Sequence, residues 1–200
     1  MKFSMMTICL FLSTFTLQLG AQETIKDNIS GELFPKTVSF DHNGKQYHLE
    51  ATGATTRKKL IIKVYSLAHY LQKKEGRNAG DRFQSILQDD VAKQFTMRWL
   101  HNVDVDKIQE AYQDGFRKNL SPDVYNRLQN EIDQFISFFN QPAKKGDEYI
   151  LRWIPGGMVE VHMNGKKAGS VTNPDLARGL WSIWVGDKSI VNRDQLVSLM

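Results

Sequence analysis

From residue 38 onward, apolar and polar positions repeat with the two periods of secondary structure. Val38 and Phe40 alternate with polar residues up to Asn43-Gly44, a pair that favours a tight hairpin. Tyr47, Leu49 and Ala51 continue the alternation beyond it. The stretch 60–71 is apolar at nearly every position after its start, which predicts an inner strand covered on both faces. A short helix is expected over 82–87 and a strand over 93–100. Asp104 can cap a helix that puts Ile108, Ala111, Tyr112, Gly115 and Phe116 on one face. Ser121-Pro122 starts another, with the stripe Val124, Leu128, Ile132, Phe135, Ile136 and Phe139. Strands over 148–154, 158–163 and 167–171 follow, turning at Gly156-Gly157 and Asn164-Gly165. Asn173-Pro174 opens a helix with Leu176, Leu180, Ile183 and Trp184 inward, and 195–200 reads as a final helical stub. This order lacks the strand–helix alternation of a parallel sheet. It predicts an α+β fold, a mostly antiparallel sheet with helices on one side.

The first residues are different in kind. Segment 1–21 carries Lys2, no acid, and an apolar centre running from Met5 to Leu12, and it ends in Gly20-Ala21. That is the layout of a secretory signal peptide. The apolar centre is shorter than the ~20 residues a membrane span needs, so no stable span is expected after cleavage. A flexible segment is expected over 22–31 and one domain over 32–200. The only cysteine, Cys9, lies within the leader. A periplasmic or secreted protein without disulfides must draw its stability from a hydrophobic core. The composition can supply one: 41% of the 200 residues are hydrophobic and 24% charged, which excludes a disordered or collagen-like chain. The net charge of +4 is spread over lysine pairs such as Lys58-Lys59 and Lys166-Lys167 beside turns. They read as solvated faces, so no nucleic-acid partner is expected.

Standard catalytic signatures are missing. The chain has no G-x-S-x-G elbow, phosphate-binding glycine loop or dinucleotide fingerprint. His42, His48, His69, His101 and His162 are widely spaced. Neither a metal nor a cofactor is expected. The chemistry-bearing residue is Arg57, which follows Gly53, Thr55 and Thr56 and stands where apolar burial begins. Its guanidinium suits a carboxylate or phenolate at the mouth of an apolar cavity. Tyr65 lies eight positions on and so shares its face of a strand. On one straight strand the two would be ~26 Å apart, and they can hold one ligand head only if the chain bends between them. Otherwise Arg57 is a surface charge at a strand end and Tyr65 a core phenol.

Gly53-x-x-x-Arg57, followed by Lys63-Val64-Tyr65-Ser66-Leu67-Ala68-His69-Tyr70-Leu71, resembles the signature of the chalcone isomerase-like proteins. Phe95-Thr96-Met97-Arg98, Gly115-Phe116 and the block Leu180-Trp181-Ser182-Ile183-Trp184-Val185-Gly186 extend the likeness over 32–200. The resemblance implies an open-faced β-sandwich of the chalcone isomerase type, with a ligand cleft between sheet and helices. In the plant isomerases an arginine at the place of Arg57 acts with a threonine of the next strand and a downstream tyrosine. Here Tyr65 occupies the threonine position, and Val105-Asp106-Lys107 offers no tyrosine. The non-catalytic, fatty-acid-binding branch, which sets an arginine and a tyrosine on a carboxylate, is nearer. The Arg57–Tyr65 spacing is shorter than in the plant proteins.

The resemblance therefore implies a protein, leaning non-catalytic, that binds a small apolar acid or phenolic ligand through Arg57 and Tyr65. Two alternatives stay open. One is an intramolecular lyase or isomerase acting on a chalcone-like enone. The other is an interaction module whose cleft is filled by aromatic residues. The oligomeric state is not readable from the sequence. Cleavage after Ala21 or Gln22 is expected, and N-terminal sequencing of protein from the cell envelope checks it. An intact Met1 on cytoplasmic protein would be the contrary result.

Overall fold

In the computed structural model, which describes residues 22–73 and 81–200, two short paired strands, β1 (Thr24–Lys26) and β2 (Leu33–Pro35), precede a seven-stranded antiparallel sheet. Its strands lie side by side in chain order: β3 (Thr37–His42), β4 (Lys45–Lys59), β5 (Ile62–Gln72), β6 (Lys93–Trp99), β7 (Glu148–Ile154), β8 (Met158–Met163) and β9 (Lys166–Thr172). Helix α1 (Arg82–Ile86) lies between β5 and β6. Helices α2 (Val105–Asn119), α3 (Pro122–Arg127) and α4 (Gln129–Ser137) fill the connection from β6 to β7. Helices α5 (Pro174–Val185) and α6 (Arg193–Leu196) end the chain. The fold is thus the α+β arrangement expected, a large antiparallel sheet with a helical layer. The leader, 1–21, lies outside the described residues.

Local chemistry accounts for most boundaries. Asn43 and Asn164 take φ of 50° and 49° ahead of Gly44 and Gly165, as tight hairpin turns require. Ser121 accepts from the Val124 amide, and Asn173 from those of Asp175 and Leu176, each just before a proline that opens a helix. Asp104 stands at the start of α2 without a side-chain cap bond. The stripes Ile108, Tyr112, Phe116 and Leu128, Ile132, Phe135 are buried in one core with Leu67, Phe95, Leu151 and Val161 of the sheet. A second, smaller core, built on Phe34, Phe40, Leu49 and Tyr70, covers the opposite face of the first strands.

Four expectations are corrected. The inner strand begins at Ile62, because Leu60 and Ile61 form the turn between β4 and β5. The helix expected from 121 is divided at Leu128, whose backbone (φ −94°, ψ 9°) leaves the helical region. The final helical turn is Arg193–Leu196 rather than 195–200. Segment 22–31, expected to be flexible, is tied to the sheet by Asp27, which is fully buried. Its carboxylate accepts from Ser66 Oγ (2.6 Å), Ser30 Oγ (2.6 Å), the Ile29 amide (2.9 Å) and Thr56 Oγ1.

Burial alone would raise the Asp27 pKa. The hydrogen bonds from Ser30, Ser66, Thr56 and the Ile29 amide outweigh it and hold the carboxyl below its ordinary 3.8. A folded-state pKa below the unfolded one gives stability that is complete above the unfolded value and is lost as pH falls through the folded value. Asp27→Ala should therefore cost about 3 kcal/mol near neutrality, the scale of losing a charge-assisted set of hydrogen bonds. Its stability should also vary less than that of the wild type below the ordinary 3.8. Urea unfolding over a pH series checks both.

Candidate ligand site

The β4–β5 hairpin bends the chain between Arg57 and Tyr65. Lys59 faces Ile62 and Lys58 faces Lys63 across the turn; a bulge at Val64 then brings Arg57 directly opposite Tyr65. Residues opposite one another in antiparallel strands project from the same face, with Cβ atoms ~5 Å apart. The two residues are therefore neighbours on the helix-covered face, not the ends of one long strand.

Tyr65 is 8% exposed, and its hydroxyl accepts from Trp184 Nε1 of α5 at 2.9 Å. No acceptor for the phenolic proton lies among the described residues. Burial pushes the phenol up to about 12, against the opposing pull of the Trp184 hydrogen bond and the Arg57 charge, so it is a donor at neutral pH. Arg57 is half-buried, and Nη1 donates to the Ile190 carbonyl at 2.6 Å. That backbone oxygen is the acceptor its position demands. The other guanidinium N–H groups remain for a further partner.

Aromatic rings cluster around Tyr65. Trp99 of β6 meets Tyr65 edge-on at 5.4 Å and Tyr149 of β7 at 5.4 Å. Tyr112 of α2 lies 6.2 Å from the Trp184 ring. Burial raises the Tyr112 phenol well above 10, and its neighbours Tyr65 and Tyr149 add to the effect. The Trp99 indole N–H is buried and has no hydrogen-bond partner among the described residues. Tyr112 and Trp184 sit on helix stripes readable as inward-facing, so their burial was legible. Their convergence with Trp99 and Tyr149 on Tyr65 was not, and the Ile190 carbonyl leaves no sequence signal.

The C-terminal segment lies across β4 as a strap. Thr52 Oγ1 donates to the Leu196 carbonyl (2.6 Å), and Thr55 Oγ1 to Gln195 Oε1 (2.5 Å). Gly53, at φ 155°, permits this approach: a Cβ there would lie 2.0 Å from the Gln195 carbonyl oxygen. Behind the strap, Trp181 Nε1 donates to His69 Nε2 (3.3 Å), and His69 Nδ1 meets Thr52 Oγ1 (2.7 Å). An indole only donates, which assigns the proton of a neutral His69 to Nδ1. A cleft of about 430 Å³ opens beside the strap, lined by Lys26, Gly53, Gln195 and Leu199 among others. It does not include Arg57 or Tyr65 among its lining residues.

On the opposite face of the sheet, Glu160 is bound by Lys167 (2.6 Å) and by His42 and His162 (3.3 Å each). Those partners, with Lys167 foremost, hold its carboxyl below the usual range against the effect of burial. No group of His, Cys, Asp and Glu among the described residues could hold a metal ion, and no helix among them is long and apolar enough to cross a membrane.

A seven-stranded antiparallel sheet beneath a helical cover is the fold of a known class. The chain belongs to the chalcone isomerase-like family, whose model matches residues 26–195. Its fold is similar to that of a fatty-acid binding protein of Arabidopsis thaliana. The TM-score is 0.71 over 88% of this chain and 96% of that one, at 16% identity, a likeness of fold. No curated protein matches the chain.

Tyr65→Phe should leave the buried Trp184 N–H without an acceptor, a loss of roughly 1–3 kcal/mol. Denaturant unfolding followed by tryptophan fluorescence measures it.

Proposed function

We propose that this protein is an exported, non-catalytic carrier of a small apolar acid, of fatty or phenolic type. The acid's head group rests on Arg57 and Tyr65, and its apolar part lies between sheet and helices. The observation that carries the reading is the set of unspent donors at one place. The half-buried Arg57 has N–H groups beyond the one given to Ile190, while the Tyr65 proton and the buried Trp99 N–H have no partner among the described residues. A buried donor without an acceptor is costly, and one carboxylate can take several such bonds at once. The fatty-acid binding title of the Arabidopsis protein with a similar fold supports the same ligand class. The charge-poor apolar start of the chain supports export.

The aromatic rings packed round Tyr65 favour a second reading, a domain that keeps the fold and binds no small ligand. Calorimetric titration separates the two. A long-chain acid should bind the wild type, and its methyl ester should bind poorly. Arg57→Ala should weaken acid binding about ten- to a hundredfold, the scale of a charge-assisted hydrogen bond. Tyr65→Phe should cost roughly fivefold, the scale of a neutral one. Acid binding unchanged in Arg57→Ala would remove the anchor. An absence of binding across fatty and phenolic acids would favour the second reading.

A further inference from the structure

The tip of the β4–β5 hairpin does not resemble the other tight turns of this protein. Asn43-Gly44 and Asn164-Gly165 use the residues that such turns favour. Here the two turn residues are Leu60 and Ile61, 93% and 94% exposed, followed by Ile62 at 47%. Leu60 also sits at φ 56°, a left-handed conformation that glycine adopts freely and leucine does not. Aliphatic side chains have thus been placed in water, at a strained position, where the fold asks for neither. Lysines flank them on both sides. Lys58, Lys59 and Lys63 are exposed, and the run 58–63 holds no acid. Lys58 and Lys59 form no ion pair among the described residues. Glu110, the carboxylate that feels Lys59, is itself paired with Lys107 at 2.7 Å.

The geometry points to a membrane-docking wedge: Leu60, Ile61 and Ile62 enter the headgroup layer of an anionic bilayer, and Lys58, Lys59 and Lys63 ring them at the phosphate level. The charge pattern selects this occupant. An apolar point within a cationic collar matches a surface that is anionic outside and apolar beneath. A nucleic acid offers no apolar layer for the point. The tip is continuous with the candidate ligand site, since Arg57 stands three residues from Leu60, ~10 Å along an extended strand. The docking inference does not depend on the ligand reading and is tested without any acid.

The test is sedimentation with vesicles of phosphatidylcholine, with and without phosphatidylglycerol, at low and high salt. The full chain is compared with variants that differ only at the tip, so any contribution of residues 1–21 is common to all. The wild type should sediment with the anionic vesicles and be released by salt. Leu60→Gly with Ile61→Asn places suitable turn residues there, so its melting temperature should not fall, while its vesicle affinity should drop at least roughly tenfold. Lys58→Gln with Lys59→Gln should lose about 25-fold on anionic vesicles, some fivefold per charge, and little on neutral ones. Three results would overturn the proposal. The wild type does not bind anionic vesicles at low salt; the turn variant binds as tightly as the wild type; or, without lipid, the wild type self-associates through the tip and the turn variant does not, which would assign the patch to a second copy.

Discussion

Thr56 faces Ser66 and Arg57 faces Tyr65 on adjacent rungs of the β4–β5 ladder. Because successive side chains project to opposite faces, the first pair points to one side of the sheet and the second to the other. Thr56 and Ser66 both donate to Asp27 and fasten the N-terminal strands beneath the sheet. Arg57 and Tyr65 face the helices and meet the Ile190 carbonyl and Trp184. A slip of one residue in this register would put the hydroxyl pair against the helices and the guanidinium against Asp27. The bulges at Thr52 and Val64 hold the register on either side of these rungs.

The polar interior follows from the same ladder. His69 lies opposite Gly53, and the bulged Thr52 joins its imidazole to the Leu196 carbonyl. Asp27, His69 and Thr52 are all buried, and each has acceptors or donors of fixed direction. The helix-side core is aromatic rather than aliphatic near Tyr65, which gives that phenol a low-dielectric setting and keeps its proton in place. The same apolar setting strengthens any hydrogen bond made to an anion there.

Much of this was legible in the sequence. The strand and helix stripes of 93–185 rest on strong periodicity and on turn or cap residues with a definite mechanism, so their elements lie close to where those signals put them, apart from the break at Leu128. Leu60-Ile61 defeated the same reasoning, because two aliphatic residues imitate the start of a buried strand and carry no turn signature. That single turn hid the adjacency of Arg57 and Tyr65, which eight positions of sequence make distant and one hairpin makes neighbours. The N-terminal segment was misread for the opposite reason. Its polar composition suggested a loose chain, while one buried carboxylate, Asp27, gathers enough hydrogen bonds to order it. The alignment of Ile190 and Leu196 with β4 involves backbone carbonyls, which no residue type announces.

The strap sets a condition on how the molecule is made. Thr52, Thr55 and Arg57 find their acceptors 144, 140 and 133 positions later in the chain. While the polypeptide is being synthesised, β4 can pair with β5 but cannot complete its outward bonds until residues 190–196 are present. Contacts of such long sequence separation are slow to form. β4 is therefore finished only when residues 190–196 have packed against it, and a chain stopped short of them holds an incomplete strand.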